Sequence, residues 1–201
     1  MRDLPHTALR PLSQAHLLGL AGARVHEAEG RGRRVFALFQ AVRHPGPVVW
    51  ILPDHVPRIL LPAGLPAGLT GRLILLRPKG EPDLLWSLEE ALRAMPVALV
   101  IAEPERPLSL TAGRRLQLAA EAGRTTGLVL VQEGQGSNAA ETRWHCVPRA
   151  GPADSTLHHW TLIKNKKGTN GSWVVNWNGT SAAVHMVSAS GERDGAADPP
   201  G

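Results

Sequence analysis

A short glycine-containing segment carries the residue types most suggestive of nucleotide chemistry. Residues 23–27 have the pattern of a short strand, residues 33–43 that of an amphipathic helix, and residues 28–32 join them. A strand, a glycine-containing loop and a helix are the parts from which a phosphate-binding loop is built. A loop of the type G-x-x-x-x-G-K-[ST] adds a Lys for the phosphates and a hydroxyl for Mg²⁺. The order of elements therefore predicts a nucleotide-binding scaffold at this position.

The functional groups of such a loop are replaced in this sequence. If Gly32 is aligned with the second glycine, Glu27 stands in place of the first, Arg33 replaces the Lys and Arg34 replaces the hydroxyl. Glu27 and Glu29 then flank a site that should attract a polyphosphate. The residues of this degenerate nucleotide loop are Gly30, Gly32, Arg33 and Arg34. The pattern indicates a scaffold whose catalytic parts are missing.

Two interpretations of the loop remain open. Arg33 or Arg34, with the helix N-terminus, would still hold a nucleotide, or the glycines are retained only for the backbone geometry of a turn. The missing Mg²⁺ ligand and the nearby carboxylates favour the turn. Glu103 follows the predicted strand 97–102 and occupies a Walker-B-like position, but without a phosphate loop opposite it we assign it no catalysis. We expect a protein that is not an enzyme, with no catalytic residue and no cofactor.

Composition indicates one ordinary globular domain with a mild positive charge. The chain has 201 residues, 43% of them hydrophobic, and its Lys and Arg exceed its Asp and Glu by 22 − 17 = 5. That excess would suit nucleic acid or an acidic protein surface, but on charge alone an Arg-rich coding bias is the favoured explanation. The single cysteine, Cys146, excludes an intramolecular disulfide and a zinc site built on cysteines.

The sequence contains no recognisable targeting signal and no metal-binding motif. No apolar run approaches the length of a membrane helix, and the N-terminus lacks a hydrophobic signal core, so we expect a cytoplasmic protein. The histidines show no metal-binding spacing with acidic or cysteine partners, and we predict no metal site.

Short apolar runs recur along the chain and predict a parallel sheet. They are rich in Val, Ile and Leu without alternation, which is typical of strands buried on both faces. These predicted strands are residues 48–52, 72–76, 97–102 and 128–132. Helical spacing predicts a helix over residues 84–95, with Asp83 as its N-cap, and a second helix from about Thr111 to Ala122.

The pattern changes after residue 132. Residues 142–147, 158–165 and 172–177 have strand character with no helix between them, and a turn at residues 166–171 would make the last two a hairpin. The predicted fold class is α/β, a mostly parallel sheet flanked by helices and extended by C-terminal antiparallel strands. We divide the chain into an N-terminal extension (1–22), the α/β domain with the degenerate phosphate loop (23–178) and a disordered tail (179–201).

Four stretches of the chain resemble known proteins of the RecA class. The order of elements is similar to the core of RecA-type recombinases and ATPases, and residues 163–168 (Ile-Lys-Asn-Lys-Lys-Gly) are similar to a late RecA strand. Residues 85–93 (LWSLEEALR), 111–121 (TAGRRLQLAAE) and 142–144 (TRW) resemble the ImuA family of RecA-like inducible mutagenesis proteins of bacteria. The resemblance covers about residues 23–178.

The resemblance implies a function in the response to DNA damage. It implies a non-catalytic accessory protein, an adaptor of SOS-induced, error-prone translesion synthesis in DNA repair. The partners it implies are a Y-family-like polymerase homologue (ImuB) and an error-prone DnaE-type polymerase, with RecA as a further candidate. Two alternatives stay open: a SulA-like inhibitor of cell division, with which this family is grouped, and a RecA-type ATPase that still binds ATP.

Two surfaces are candidates for contacts with other molecules. Trp86 lies on the charged face of its predicted helix, and an exposed Trp is typical of binding hot spots, although a Trp covered by its own domain is the safer interpretation. The candidate partner contacts are Trp86, Glu89, Glu90 and Arg93. The candidate contacts for weak DNA binding are Lys164, Lys166 and Lys167, which a hairpin turn would let project freely. An ordinary solvated turn explains these lysines equally well.

Overall fold

The computed structural model describes residues 15–56, 65–66, 68–151, 157–177 and 185–190. Nine strands and three α-helices follow one another in these ranges, with short 3-10 turns at Ala15–Leu18 and Thr70–Arg72. In chain order they are β1 (Val25–Glu29), α1 (Arg33–Arg43), β2 (Val48–Ile51), β3 (Leu73–Leu76), α2 (Gly80–Arg93), β4 (Leu99–Ala102), α3 (Leu110–Gly123), β5 (Thr126–Leu130), β6 (Thr142–Pro148), β7 (Leu157–Asn165), β8 (Gly171–Asn176) and β9 (His185–Ser190).

All nine strands form one sheet, in the order β3-β2-β4-β5-β1-β6-β7-β8-β9. The pairs from β3 to β6 are parallel, and the pairs from β6 to β9 are antiparallel. This is the predicted α/β class: a mostly parallel RecA-like core extended by antiparallel strands at one edge. The prediction of the fold is confirmed.

Two hydrophobic cores cover the two faces of the parallel strands. Alternate residues of β2 belong to opposite cores: Val48 and Trp50 face the α1 side, while Val49 and Ile51 face α2 and α3. The core beneath α1 is aromatic, and the ring of Phe36 lies 5.1 Å from those of Trp144 and Trp160. Because both of their faces are buried, β2 and β4 are continuous apolar runs rather than alternating patterns.

The observed helix boundaries confirm some of the boundaries predicted from the sequence and correct others. The prediction for α1, residues 33–43, is confirmed to the residue. The prediction that Asp83 caps α2 is wrong: the helix begins at Gly80 after Lys79, so Asp83 lies in its first turn, where a carboxylate favours the positive end of the helix dipole. Helix α3 begins with a true cap, since the Ser109 hydroxyl accepts the Ala112 N–H at 3.1 Å.

Strand positions differ from the predictions by up to two residues. Strand β1 is residues 25–29 rather than 23–27, and β5 is residues 126–130 rather than 128–132. The parallel register pairs Val25 with Gly127. Pairing with a neighbour sets the strand ends, and the apolar run of a single strand does not contain that information.

Order extends beyond the predicted domain boundaries. Strand β9 pairs with β8 within the segment expected to be a disordered tail, and the sequence analysis did not predict it. Upstream of residue 23, Leu18 is fully buried in the aromatic core, and its carbonyl accepts the Gln40 side-chain amide at 2.6 Å. Residues 1–14, 179–184 and 191–201, the rest of the two predicted terminal segments, lie outside the described residues. Among the described residues, no helix combines the length and apolar character needed to cross a membrane.

Candidate functional site

The connection between β1 and α1 is a turn of three residues, Gly30, Arg31 and Gly32. Two amides at this turn are already in use, since the Gly32 N–H donates to the Cys146 carbonyl at 2.7 Å and the N–H of Arg33, the first residue of α1, donates to the Gly30 carbonyl at 3.3 Å. A phosphate loop needs free amides pointing into a cradle. Here the backbone of β6 occupies the space beside the turn, so the turn has no such cradle.

Contact with β6 accounts for both glycines. A Cβ atom on Gly30 would lie 2.5 Å from the Cys146 carbonyl oxygen, and one on Gly32 would lie 3.1 Å from the same backbone. Gly30 also has a φ of +84°, which disfavours L side chains. These contacts support the interpretation of the glycines as residues of a structural turn.

The two glutamates do not flank a loop, contrary to the sequence analysis. Glu27 and Glu29 belong to β1 and are both buried. Glu27 accepts the Ser137 N–H at 2.9 Å and the Arg143 Nε–H at 2.9 Å, and Glu29 accepts the Gly134 N–H at 3.3 Å. The connection from β5 to β6 contains no helix, so its backbone needs such acceptors. The glutamates therefore hold this crossover against β1.

Arg34 and Glu103 form a direct ion pair across the site. The Arg34 Nε lies 2.9 Å from the Glu103 Oε2, and the Arg34 Nη2 lies 2.8 Å from the same oxygen. The Trp50 indole N–H donates to the other carboxylate oxygen at 2.9 Å. The guanidinium from the hydroxyl position thus neutralises the Walker-B-like carboxylate. In a nucleotide-hydrolysing site, a Mg²⁺ ion would lie between these two positions.

Arg33 also turns back to the protein. Its guanidinium Nη1 donates to the Gly30 carbonyl at 3.0 Å. Of the four residues of the degenerate loop, two glycines contact β6 and two arginines contact protein groups. The sequence identified these residues correctly as neighbours, but it could not show that both arginines donate hydrogen bonds within the protein.

Two of the three candidate lysines, Lys164 at the end of β7 and Lys166 in the β7–β8 turn, do not project freely, which corrects the expectation from the sequence. The Lys164 ammonium donates to the Asn138 carbonyl at 2.8 Å and to the Ser137 carbonyl at 3.2 Å. The Lys166 ammonium donates to the Ala139 carbonyl at 2.8 Å, and Lys167 lies 3.6 Å from the buried Glu141. Burial lowers the pKa of Lys164. Lys164 and Lys166 therefore fasten the crossover loop.

Trp86 is exposed, at 66% of its full area, and lines a groove between α2 and α3. The two helices lie side by side, an arrangement the sequence analysis left open, and Glu89 joins them by accepting from Arg93 and Arg115 at 2.5 Å each. The hydrogen bond from Arg93 is the main cause that lowers the pKa of Glu89. Glu90 lies 3.9 Å from Arg93 at the rim.

The groove encloses about 270 Å³ and has an apolar floor of Leu85 and Leu116. A space of this size suits one or two side chains of another protein rather than a nucleotide, since small-molecule sites usually enclose about 300–1,000 Å³. Sequence reasoning missed Arg115 and Leu116 as members of this surface. Their helical spacing shows which face of α3 they share, but the packing against α2 is a tertiary feature.

No cluster of metal-ligating side chains occurs within the described parts of the chain. Cys146 is buried, and burial raises the pKa of its thiol well above the usual value. It contacts the turn through its backbone carbonyl.

The fold and the site together define an α/β protein with a RecA-like core and a three-residue turn between β1 and α1. The chain matches no protein-family model. It is 35% identical over 153 residues to Protein ImuA from two strains of Caulobacter vibrioides, NA1000 / CB15N and ATCC 19089 / CIP 103742 / CB 15. The matched region is 66% of this chain and 61% of each relative, so the chain spans about three fifths of their length. The chain belongs to the ImuA family.

Proposed function

We propose that this protein is a non-catalytic accessory factor of damage-induced mutagenesis. It acts as an adaptor for a Y-family-like polymerase homologue (ImuB) and an error-prone DnaE-type polymerase during translesion synthesis in the cytoplasm. Membership of the ImuA family supports the assignment of this protein to the mutagenesis response.

The Arg34–Glu103 ion pair is the observation that best supports a pseudo-ATPase. A guanidinium bound to the Walker-B-like carboxylate competes with any cation that would bind there, and it is fixed by two contacts of 2.8–2.9 Å. The three-residue turn between β1 and α1 is a second obstacle to nucleotide binding, because the Gly32 N–H donates to the Cys146 carbonyl of β6 and is not free for a phosphate. Catalysis of phosphoryl transfer depends on such positioned amides and cations.

An adaptor without chemistry acts through its surface, and the groove beside Trp86 is the best-supported surface. It combines one large exposed aromatic ring with the charges of Glu89, Glu90, Arg93 and Arg115. An aromatic anchor with a polar rim is the usual composition of a binding hot spot. We assign this groove to the polymerase-like partner.

Two measurements test the proposal. The first is ATP turnover by purified protein, compared with a mock preparation and with the Arg33→Lys/Arg34→Thr variant, which restores the loop chemistry but not its length. We expect no turnover from either protein. Turnover by the native chain that Arg33→Ala abolishes would contradict the pseudo-enzyme.

The second measurement is the frequency of mutations after DNA damage in a strain that lacks the gene. We expect the frequency to fall and to be restored by the native gene and by the Arg33→Ala variant alike. The opposite result would be filamentous cells on overexpression together with a mutation frequency that deletion does not change. That result would contradict the adaptor function and favour a SulA-like inhibitor of cell division.

A further inference from the structure

A second groove lies on the side of α3 that faces away from α2. It encloses about 540 Å³ between α3, the crossover loop at Asn138 and Ala139, and Lys166. Gln117 forms a firm floor, because its side-chain amide donates to the Val25 carbonyl at 2.9 Å and to the Ala139 carbonyl at 3.0 Å. The groove is therefore preformed, which lowers the entropic cost of binding.

One ridge of α3 presents an apolar, a cationic and a second apolar side chain to this groove. Leu110, Arg114 and Leu118 follow one another at intervals of four residues, so the ridge is about 12 Å long. Leu118 is 65% exposed and Leu110 46%, both large values for leucine. Neither residue contributes to the two hydrophobic cores.

The groove has uncompensated positive charge. Its single carboxylate, Glu121, is neutralised by an ion pair with Arg24. Arg114 makes no ion pair or hydrogen bond with any residue that the structure describes. Lys166 donates one hydrogen bond, to the Ala139 carbonyl, and an ammonium group has three donors.

We propose that this groove binds an amphipathic helical segment of a partner protein that carries a carboxylate between two apolar side chains. A helix that repeats apolar, acidic and apolar residues at intervals of four places its side chains in the same spacing as Leu110, Arg114 and Leu118. Nucleic acid fits less well, because a phosphate backbone would bring no apolar group to the two exposed leucines. The groove is separate from the one beside Trp86, so the proposal stands or falls independently of the function proposed above.

The test is the binding of a fluorescein-labelled synthetic helical peptide with the pattern Leu-x-x-x-Glu-x-x-x-Leu, followed by fluorescence anisotropy with the full chain. Arg114→Glu and Leu118→Ser should each weaken binding about tenfold. Ile74→Ser, at the β3 edge of the sheet, is the matched control and should leave binding unchanged. A peptide with Lys in place of Glu should bind the Arg114→Glu variant better than the native chain. Circular dichroism establishes that each variant is folded.

Three results would overturn the proposal. They are the absence of saturable binding by the peptide, equal binding to the native chain and the folded Arg114→Glu variant, and displacement of the peptide by a single-stranded oligonucleotide whose own binding requires Arg114. The last result would assign the groove to nucleic acid.

Discussion

Arg34 at the start of α1 and Glu103 just after β4 face each other as an ion pair, although 69 positions separate them in the chain. The Glu103 side chain is 12% exposed, while that of Arg34 is 32% exposed. The carboxylate also holds the indole N–H of Trp50, whose ring is fully buried. The Glu103 carboxylate thus accepts hydrogen bonds from α1 and β2 at the carboxyl end of the parallel strands. A nucleotide would bind at this end in a catalytic relative of this fold.

Removal of that carboxylate should destabilise the protein. We expect Glu103→Ala to lower the free energy of unfolding by about 2 kcal/mol, because it leaves Arg34 and the Trp50 N–H without their partner. Exposed Glu105, two residues later, is the control, and Glu105→Ala should change the value by less than about 0.5 kcal/mol. Urea denaturation measures both. Equal effects of the two substitutions would mean that the ion pair contributes no stability.

Gly30 should tolerate no side chain. Gly30→Ala places a Cβ against the Cys146 carbonyl at a positive φ, and we expect a loss of about 2 kcal/mol or more in the free energy of unfolding. Gly134 has a similar φ of +77° with open space around it, so Gly134→Ala measures the backbone strain alone. If the two variants are equally stable, β6 can move away and the turn is not confined.

Trp86 should matter for binding and little for stability. Trp86→Ala should weaken binding to the polymerase-like partner by about 2 kcal/mol, a usual loss at a hot spot. Met95→Ala is the control, since Met95 is 72% exposed and does not line the groove. Isothermal titration calorimetry gives the affinity and thermal melting the stability. Unfolding of the Trp86 variant, with affinity per folded molecule unchanged, would place Trp86 in the core and the interface elsewhere.

Lys164, Lys166 and Lys167 should contribute to the stability of the fold more than to DNA binding. Lys164→Ala and Lys166→Ala each remove hydrogen bonds that fasten residues 137–139, and we expect a loss of about 1 kcal/mol for each. Lys167→Ala, at a more exposed position, should have a smaller effect. If the protein binds DNA, the triple variant should leave the dependence of log affinity on log salt concentration unchanged. A flatter dependence in a folded triple variant would restore these lysines as phosphate contacts.

His26 should make the protein less stable in mild acid. Burial lowers its pKa from 6.5 to about 4, and its ring nitrogens contact the Thr142 hydroxyl at 2.7 Å and the Ala21 carbonyl at 3.0 Å. At pH values between these two pKa values, His26 binds a proton in the unfolded chain but not in the folded chain. The stability contributed by the neutral ring is therefore complete above pH 6.5 and declines as the pH falls towards 4.

The corresponding measurement is urea denaturation at a series of pH values. His26→Asn should reduce the slope of stability against pH over that window, whereas His55→Asn, at an exposed position, should not. An unchanged slope in the His26 variant would show that other groups cause the acid sensitivity. Burial also lowers the pKa of His44, so a reduced slope rather than a flat profile is expected.

Local patterns in the sequence were sufficient for the fold class, for the three helices and for the first eight strands, but not for β9. The continuous apolar runs predicted strands buried on both faces, which is right for β2 and β4 and wrong for β3, an edge strand with Ile74 48% exposed. The helical spacing located α1 to the residue. The absent Mg²⁺ ligand at Arg34 indicated a degenerate loop before any contact was known. Such signals are local, because side-chain period and residue chemistry are carried by neighbouring positions.

Tertiary structure decided which groups meet. The position of β1 between β5 and β6, the ion pair of Arg34 with Glu103, and the fastening of Lys164 to the crossover loop all join positions far apart in the chain. The side-by-side packing of α2 and α3, joined by Glu89 and Arg115, is of the same kind. An amphipathic pattern predicts which face of a helix or strand is buried, but many different packing partners would bury that face equally well. The partner is selected only when the whole chain packs both cores and pairs its buried polar groups at once.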